Sequence, residues 1–262
     1  MPLYSEERKN RILSDIEQHG RASVQDLVET FGVSESTIRR DLNEMEKEKL
    51  LKRTHGGAVS NDSVNFEPTM IERVDRFYQE KQKIARKAAS YINNGDTILV
   101  DAGTTTLPLV EAIKILKELT VVTNSVVHAE ALKNSPHIEV VVLGGRLRHE
   151  TQALVGPITD QALDHLHVDK AFLGTNGIDL SGGLTTPNII EASTKRKMID
   201  QATEIYVLAD NSKFGKVAFA KFGEISDLTG CITDGEVDLS FVEAFHQKNI
   251  LLDIVSQQEE GR

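Results

Sequence analysis

Apolar residues recur on a helical period in three places near the start of the chain. Ile12, Leu13 and Ile16 mark a first helix, and Val24, Leu27, Val28 and Phe31 satisfy the i, i+3, i+4, i+7 template of a second. Ile38, Leu42 and Met45 share one face of a third. Ser23 is placed to cap the second helix with Asp26 three residues on, and Gly32 to end it. Val33 and Ser34 leave room for only a short turn before the third helix, whose N-cap is then Ser34. Two helices so joined make a helix-turn-helix. Leu50 and Leu51 lead to Lys52, Arg53, His55 and the Gly56-Gly57 pair, a pattern that reads as a short β hairpin with a basic tip, the wing of a winged helix.

Small polar residues follow, and Pro68 would break any helix through them, so a linker is expected before a helix from Arg73 to Ile92 that Gly95 ends. Beyond it the period changes. Short β-branched runs at 97–101, 121–123, 139–144, 170–174, 205–210 and 231–234 alternate with helical segments. That alternation predicts an α/β domain with a mostly parallel sheet covered on both faces, whose ligands gather at the carboxyl ends of the strands. The expected organisation is a winged helix-turn-helix over 1–59, a linker and the start of a connecting helix over 60–82, and an effector-binding and oligomerisation domain over 83–262.

The formal net charge of -10 is unevenly spread. Residues 1–60 hold 10 basic against 11 acidic side chains, leaving 20 against 29 for the rest, so the acidity belongs to the larger part. A polyanionic partner must therefore be met by a few placed cations rather than by a general positive field. The third helix supplies them. Ser36, Arg40 and Asn43 lie opposite Ile38, with Thr37 and Arg39 on the flanks, so a helix start rich in hydroxyls and guanidinium groups faces outward. Such a surface suits a phosphate-lined groove, and arginine also pairs bidentately with guanine. Ser34, Ser36, Thr37, Arg39, Arg40 and Asn43 on the helix, with Lys52, Arg53, His55 and Gly56 on the wing, are the candidate contacts to double-stranded DNA. The bland alternative pairs the arginines with Glu35, Asp41 or Glu44 on a solvated face. A winged helix that bound protein instead would need its exposed charges matched by acid.

The strand ends of the body are equally specific. Asp101, Gly103, Thr104, Thr105 and Thr106 offer a tight turn with hydroxyls and amides at a helix start, a phosphate cradle without a Walker lysine. No G-x-x-x-x-G-K-[ST] or G-x-G-x-x-G run occurs, which argues against nucleotide hydrolysis and a dinucleotide site. Thr123 and Asn124, Gly144, Gly145 and Arg146, Asn176, and Asp210 with Lys213 stand at further strand ends. Converging on one edge, these groups describe a pocket for a small polyhydroxylated anion, with Lys213, Lys195 or Arg146 meeting a phosphate.

The stretch "VSESTIRRDLNEME" with "LLKRTHGGA" after it resembles the signature of the DeoR-type family of bacterial sugar-operon repressors, and the body resembles that family's effector domain. The likeness covers nearly the whole chain. It implies a third helix in the major groove and a body similar to ribose-phosphate isomerase, glucosamine-phosphate deaminase and CoA-transferase folds. It also implies an effector site lined by Asp101, Gly103, Thr104, Thr105, Thr106, Asn124, Gly144, Gly145, Lys195, Asp210 and Lys213. The function expected is a repressor of a carbohydrate uptake or catabolism operon, released by a phosphorylated sugar and working as a homo-oligomer, dimer or tetramer.

The enzymatic alternative is a sugar-phosphate isomerase with an accessory DNA-binding head, using Asp101, Asp210 and Lys213 as base and cation. Nothing in the sequence demands catalysis, so no catalytic residue is expected. No cofactor is expected either. His165 and His167 lack a cysteine or carboxylate partner at ligand spacing, and no metal is expected. The single Cys231 rules out an internal disulfide, the charged start predicts no secretory leader, and no apolar run is long enough to span a membrane, so the expected location is the cytoplasm.

Overall fold

A computed structural model of the chain describes residues 5–19, 21–48, 50–54, 56–60, 70–74 and 77–255. The chain divides into two compact units, Met1–Pro68 and Thr69–Arg262. The expected linker around Pro68 and the wing residue His55 lie outside the described residues.

The first unit builds α1 (Ser5–His19), β1 (Arg21–Ser23), α2 (Val24–Phe31), α3 (Glu35–Lys47), β2 (Leu51–Thr54) and β3 (Gly57–Ser60). Ser23 caps α2 by accepting from the Asp26 amide at 3.0 Å, and Gly32 closes it in the left-handed conformation, φ 61°. Ser34 caps α3 through the Thr37 amide at 3.3 Å. Ile12, Ile16, Leu27, Ile38, Leu42, Met45 and Leu51 form the fully buried core, so the apolar faces read from the period are the packed ones. β1, too short to show a period, pairs with β3 and makes the hairpin a three-stranded sheet in the order β1-β3-β2. Gly57 sits where a Cβ would meet the Ala22 carbonyl oxygen at 2.0 Å, so only glycine lets β3 approach β1 this closely. Asp41 is a departure from a simple charged face: it turns inward and is fully buried, held by Arg8 Nε at 2.6 Å and by the Ser5 hydroxyl at 3.4 Å. That contact raises the Arg8 guanidinium above its ordinary value.

In the second unit the expected helix from Arg73 to Ile92 is two helices, α4 (Met70–Val74) and α5 (Tyr78–Ala89). Phe77 takes a left-handed conformation, φ 58°, which no continuous helix accommodates. α5 stops at Ala89, where the Ser90 hydroxyl donates to the Lys87 carbonyl at 2.7 Å, and Gly95, φ 90°, serves the turn before the first strand rather than the helix end.

Seven strands, all parallel, then form one sheet: β4 (Thr97–Val100), β5 (Leu119–Thr123), β6 (Ile138–Val142), β9 (Val168–Gly174), β12 (Ala202–Leu208), β14 (Gly230–Asp234) and β15 (Leu251–Val255). Their order is β15-β14-β12-β9-β4-β5-β6. Alternate residues of β4 feed two cores. Leu99 belongs to the core that holds Leu163, Met198 and Phe245, while Ile98 and Val100 belong to the one that holds Ile84 and Leu109, so both faces of the sheet are covered. Helices α6 (Leu107–Ala112), α7 (Val126–Leu132), α8 (Pro157–Leu163), α9 (Ile189–Asp200) and α10 (Leu239–Gln247) intervene between strands. The hairpin β7 (Arg146–Leu147) and β8 (Leu154–Val155) and the antiparallel sheet β10 (Gly177–Asp179), β11 (Gly183–Thr186) and β13 (Ala220–Gly223) complete the unit.

This strand order positions a site. From β4 the chain winds outward through β5 and β6, then returns to place β9 on the other side of β4 and winds the opposite way. The reversal falls at the carboxyl ends of β4 and β9, the switch point at which doubly wound sheets form their ligand crevice.

Candidate functional sites

On α3 of the first unit, Ser34, Ser36 and Arg40 are exposed, with Thr37 and Arg39 half-buried beside them. Arg39 pairs with Glu35 at 2.7 Å and Arg40 with Glu44 at 3.7 Å, both one helical turn away, and the Arg40 side chain stays 73% exposed. Exposed pairs of this kind contribute at most about 1 kcal/mol, so a phosphate can replace the carboxylate with little loss. Lys9 helps, since its ammonium lies 2.5 Å from Glu44 and keeps that carboxyl below its usual range. The Ser34 hydroxyl meets those of Ser36 and Thr37 at 2.8 Å each, a cluster at the positive end of the helix macrodipole.

Asn43 is exposed, and its amide oxygen accepts from the Arg53 guanidinium, tying α3 to the wing. The Arg53 amide donates to Glu46 Oε1 at 2.9 Å, and its buried Nε has no hydrogen-bond partner among the described residues. Lys52 is exposed on the same strand. These two cations lie along β2 rather than at the hairpin tip. Gly56 is exposed at the tip, and its carbonyl accepts from the Val24 amide at 2.7 Å.

In the crevice of the second unit, Asp101 follows β4 and is buried. Its Oδ2 accepts from the Gly174 amide, at the end of β9, at 3.2 Å. Lys195 reaches in from α9: its ammonium bonds the Asp101 carboxylate and donates to the Gly174 carbonyl at 3.0 Å. Burial holds the Asp101 carboxyl above its ordinary range, with the Lys195 charge opposing. Asn124, at the end of β5, accepts from the Ala102 amide at 2.8 Å through its side-chain oxygen. Its amide nitrogen is buried without a hydrogen-bond partner among the described residues, a donor directed at no acceptor of the fold.

Thr104 is buried and Thr105 half-buried in the turn after Asp101. Thr106 and Thr123 are different. The Thr106 hydroxyl donates to the carbonyls of Asp101 at 2.7 Å and Gly103 at 3.0 Å, and that of Thr123 donates to Val100 at 2.7 Å, so both are engaged in holding their own turns. Asp210 caps a short turn through the Ser212 amide at 3.2 Å, with the Lys213 ammonium 3.8 Å from its carboxylate and the lysine partly exposed. Half-buried Asn176 accepts from the Thr186 hydroxyl at 3.3 Å. Gly144 and Gly145 form a tight passage onto α8: the Gly144 carbonyl accepts from Thr159 at 2.5 Å, and a Cβ at Gly145 would fall 2.0 Å from the Thr159 hydroxyl. Arg146 is exposed on β7.

Sequence reasoning missed Glu191 and Arg148. Glu191 is buried at the start of α9, 3.9 Å from the Lys195 ammonium, and bonds the buried Arg148 guanidinium. Four buried charges therefore alternate in sign, Arg148, Glu191, Lys195, Asp101. A single acidic residue in a helix of mixed composition carries no sign that it will be buried.

Two family models match the chain: the DeoR-like helix-turn-helix domain over residues 8–64 and the DeoR C terminal sensor domain over residues 76–235. The uncharacterized HTH-type transcriptional regulator FruR of Bacillus subtilis (strain 168) is 42% identical, over 95% of this chain and 98% of its own. The glycerol-3-phosphate regulon repressor of Escherichia coli (strain K12) is 34% identical over the same shares of the two chains, 95% and 98%. The lactose phosphotransferase system repressor of Staphylococcus epidermidis is 37% identical, over 87% of this chain and 91% of its own. Among solved structures, ribose 5-phosphate isomerase A from Methanocaldococcus jannaschii overlaps 53% of this chain and 55% of that one, with a TM-score of 0.39 at 18% identity.

Proposed function

The chain belongs to the DeoR family of transcriptional regulators, and from that premise we propose that it represses a carbohydrate uptake or catabolism operon and leaves its operator when a phosphorylated sugar fills the crevice between β4 and β9. It is a DNA-binding transcriptional regulator and not an isomerase with an accessory head: the relatives that match it along nearly its whole length are regulators and repressors by name. Two of those names concern glycerol 3-phosphate and a lactose phosphotransferase system, which supports a phosphorylated carbohydrate as the signal here.

The observation that carries the effector reading is the Asn124 amide, a buried donor without an acceptor among the described residues, at the strand ends where the strand order reverses. A buried unsatisfied donor costs about 1–3 kcal/mol, which a ligand oxygen recovers. In this reading Asn124, Asn176, Thr104 and Thr105 meet sugar hydroxyls, Asp101 accepts from one of them, and the backbone at Gly103, Gly144 and Gly145 lets the ligand approach. The buried charges already balance within the fold, so the added negative charge of a phosphate falls to the partly exposed Lys213, and to Arg146 at the rim. In the head, α3 enters the major groove with Arg39 and Arg40, and the serine and threonine hydroxyls, Asn43, Lys52 and Arg53 fix it on the backbone.

One winged helix covers few base pairs, so two or four heads joined through the bodies on repeated half-sites supply the avidity an operator requires. No described helix is long and apolar enough to cross a membrane, and a regulator of an operon works in the cytoplasm, where the DNA is. The test is a thermal-shift screen of the full chain against phosphorylated sugars and their unphosphorylated counterparts. A ligand present at 100 times its Kd stabilises by about 2.7 kcal/mol, and only a phosphorylated sugar is expected to do so. A panel in which no phosphorylated sugar raises the melting temperature contradicts the reading.

A further inference from the structure

The four buried charges lead away from the crevice toward the start of the unit. Asp101 and Lys195 stand at the strand ends, Glu191 lies one turn earlier on α9, and Arg148 receives Glu191 from the turn that joins β7 to β8. The Glu191 and Arg148 side chains are 5% and 8% exposed, so water screens this pair little. Arg148 is built into its turn by its own backbone: its amide donates to the Ala153 carbonyl at 2.8 Å, and its carbonyl accepts from the Gln152 amide at 2.8 Å. Gln152 holds a positive φ of 56°, and Thr151 donates to Glu191 at 3.4 Å. In the same turn the Glu150 carbonyl accepts the amide of Met70 at 2.7 Å. Met70 is buried, opens α4, and lies two positions beyond the division at Pro68. Ion pairs, the backbone of the 148–150 turn and one hydrogen bond thus connect Asp101 to Met70 at the start of α4.

We propose that Arg148 is a positioning residue that couples the crevice to Met70: a phosphorylated sugar that redraws the contacts of Asp101, Lys195 and Glu191 shifts the 148–152 turn, and the turn shifts the start of α4 with it. The proposal rests on the effector reading above. It assigns regulation to a turn that contributes no candidate ligand contact, and to a residue whose role is separable from both binding events. Among the described residues the turn is gripped from one side by the buried Glu191 carboxylate and from the other by the Met70 amide, and a ligand that alters the first grip alters the balance between them.

The experiment uses the full chain, an operator duplex read by fluorescence anisotropy, and fructose 6-phosphate, glucosamine 6-phosphate and ribose 5-phosphate as probes. Arg148→Lys keeps the charge and loses the planar fork. Met70→Pro removes the amide at a helical position that tolerates proline and leaves the crevice intact. Both variants are expected to bind operator as the wild type does and to show its melting rise with the active probe. Operator release should need at least about tenfold more probe, a typical size for a coupling free energy between sites. Release at the wild-type concentration overturns the proposal. So does loss of the melting rise in Arg148→Lys, which would make Arg148 a ligand contact. If no probe affects the wild type, the effector reading fails by itself, and hydrogen exchange of the free protein decides the relay. Arg148→Lys should then speed exchange of the Met70 amide by about tenfold while the β4 amides exchange as before. An unchanged Met70 amide overturns the coupling.

Discussion

The Lys195 ammonium rests against the Asp101 carboxylate, and both are buried at the strand ends where the order of the central strands reverses. A lysine that reads from sequence as a phosphate ligand is thus already matched by an acid of the fold. Its role is to hold Asp101 and the end of β9 together, through the carboxylate and the Gly174 carbonyl at 3.0 Å. The cation proposed to face the phosphate is Lys213, whose partly exposed ammonium lies 3.8 Å from the Asp210 carboxylate.

The two lysines should therefore respond differently to substitution. Lys195→Ala leaves Asp101 buried without its partner and is expected to destabilise the second unit by about 3–5 kcal/mol in urea unfolding, whereas Lys195→Met combined with Asp101→Asn recovers most of that loss. Lys213→Ala should unfold as the wild type does, bind operator normally and need at least about tenfold more sugar phosphate for release, as expected when a charge-assisted contact is lost. A Lys195→Ala protein as stable as the wild type would mean that the pair does not hold the crevice.

Arg40 projects from α3, 73% exposed, with the Glu44 carboxylate 3.7 Å away. Arg40→Ala is expected to weaken operator binding by about 1–3 kcal/mol and to reduce the salt slope by about 1 if the contact is to phosphate. The melting temperature and the response to sugar phosphate should not change. Gel-shift titrations at several salt concentrations measure both numbers.

Gly57 holds the wing sheet together by having no side chain, since a Cβ would sit 2.0 Å from the Ala22 carbonyl oxygen. Gly57→Ala should force β1 and β3 apart, abolish operator binding and lower the stability of the first unit. The melting rise of the second unit with sugar phosphate should survive. Circular dichroism with a binding assay for each partner separates these outcomes.

His128 is fully buried, its Nδ1 3.3 Å from the Thr123 hydroxyl, and burial lowers its pKa from 6.5 to about 4. The unfolded chain takes up a proton below about pH 6.5 that the folded chain refuses until about pH 4. Stability is therefore unaffected above pH 6.5 and falls as the pH drops through that window, by about 3 kcal/mol in all. His128→Gln, which cannot be protonated, should flatten that part of the stability profile in urea titrations between pH 7 and 4. Parallel profiles for the two proteins would show that the imidazole is not the acid-sensitive group.

The head was readable because its signals are local. A cap serine, a left-handed glycine and apolar residues at fixed spacing each depend on near neighbours, and Ser23, Gly32, Ile38, Leu42 and Met45 behave accordingly. The central strands were readable because parallel strands buried on both faces are continuous β-branched runs, as in Thr97–Val100. β10 and β11 were not, since each is a short segment that opens on a glycine, Gly177 and Gly183, and its pairing is set by register and not by period. Asp41 and Glu191 look like surface acids until distant Arg8 and Arg148 fold onto them, 33 and 43 residues away in sequence. Thr106 and Thr123 stand at strand ends as expected, yet whether a hydroxyl faces a ligand or its own backbone depends on a rotamer that no sequence pattern encodes.

Fluorescence anisotropy of the full chain on an operator duplex, titrated with salt and then with sugars and their phosphates, bears on the whole division of labour at once. Affinity is expected to fall linearly with salt on logarithmic axes, and at least one phosphorylated sugar should release the duplex while its unphosphorylated counterpart does not. Binding indifferent to salt, or a complex that no phosphorylated sugar loosens, would contradict the pairing of a guanidinium-bearing head with a phosphate-sensing body.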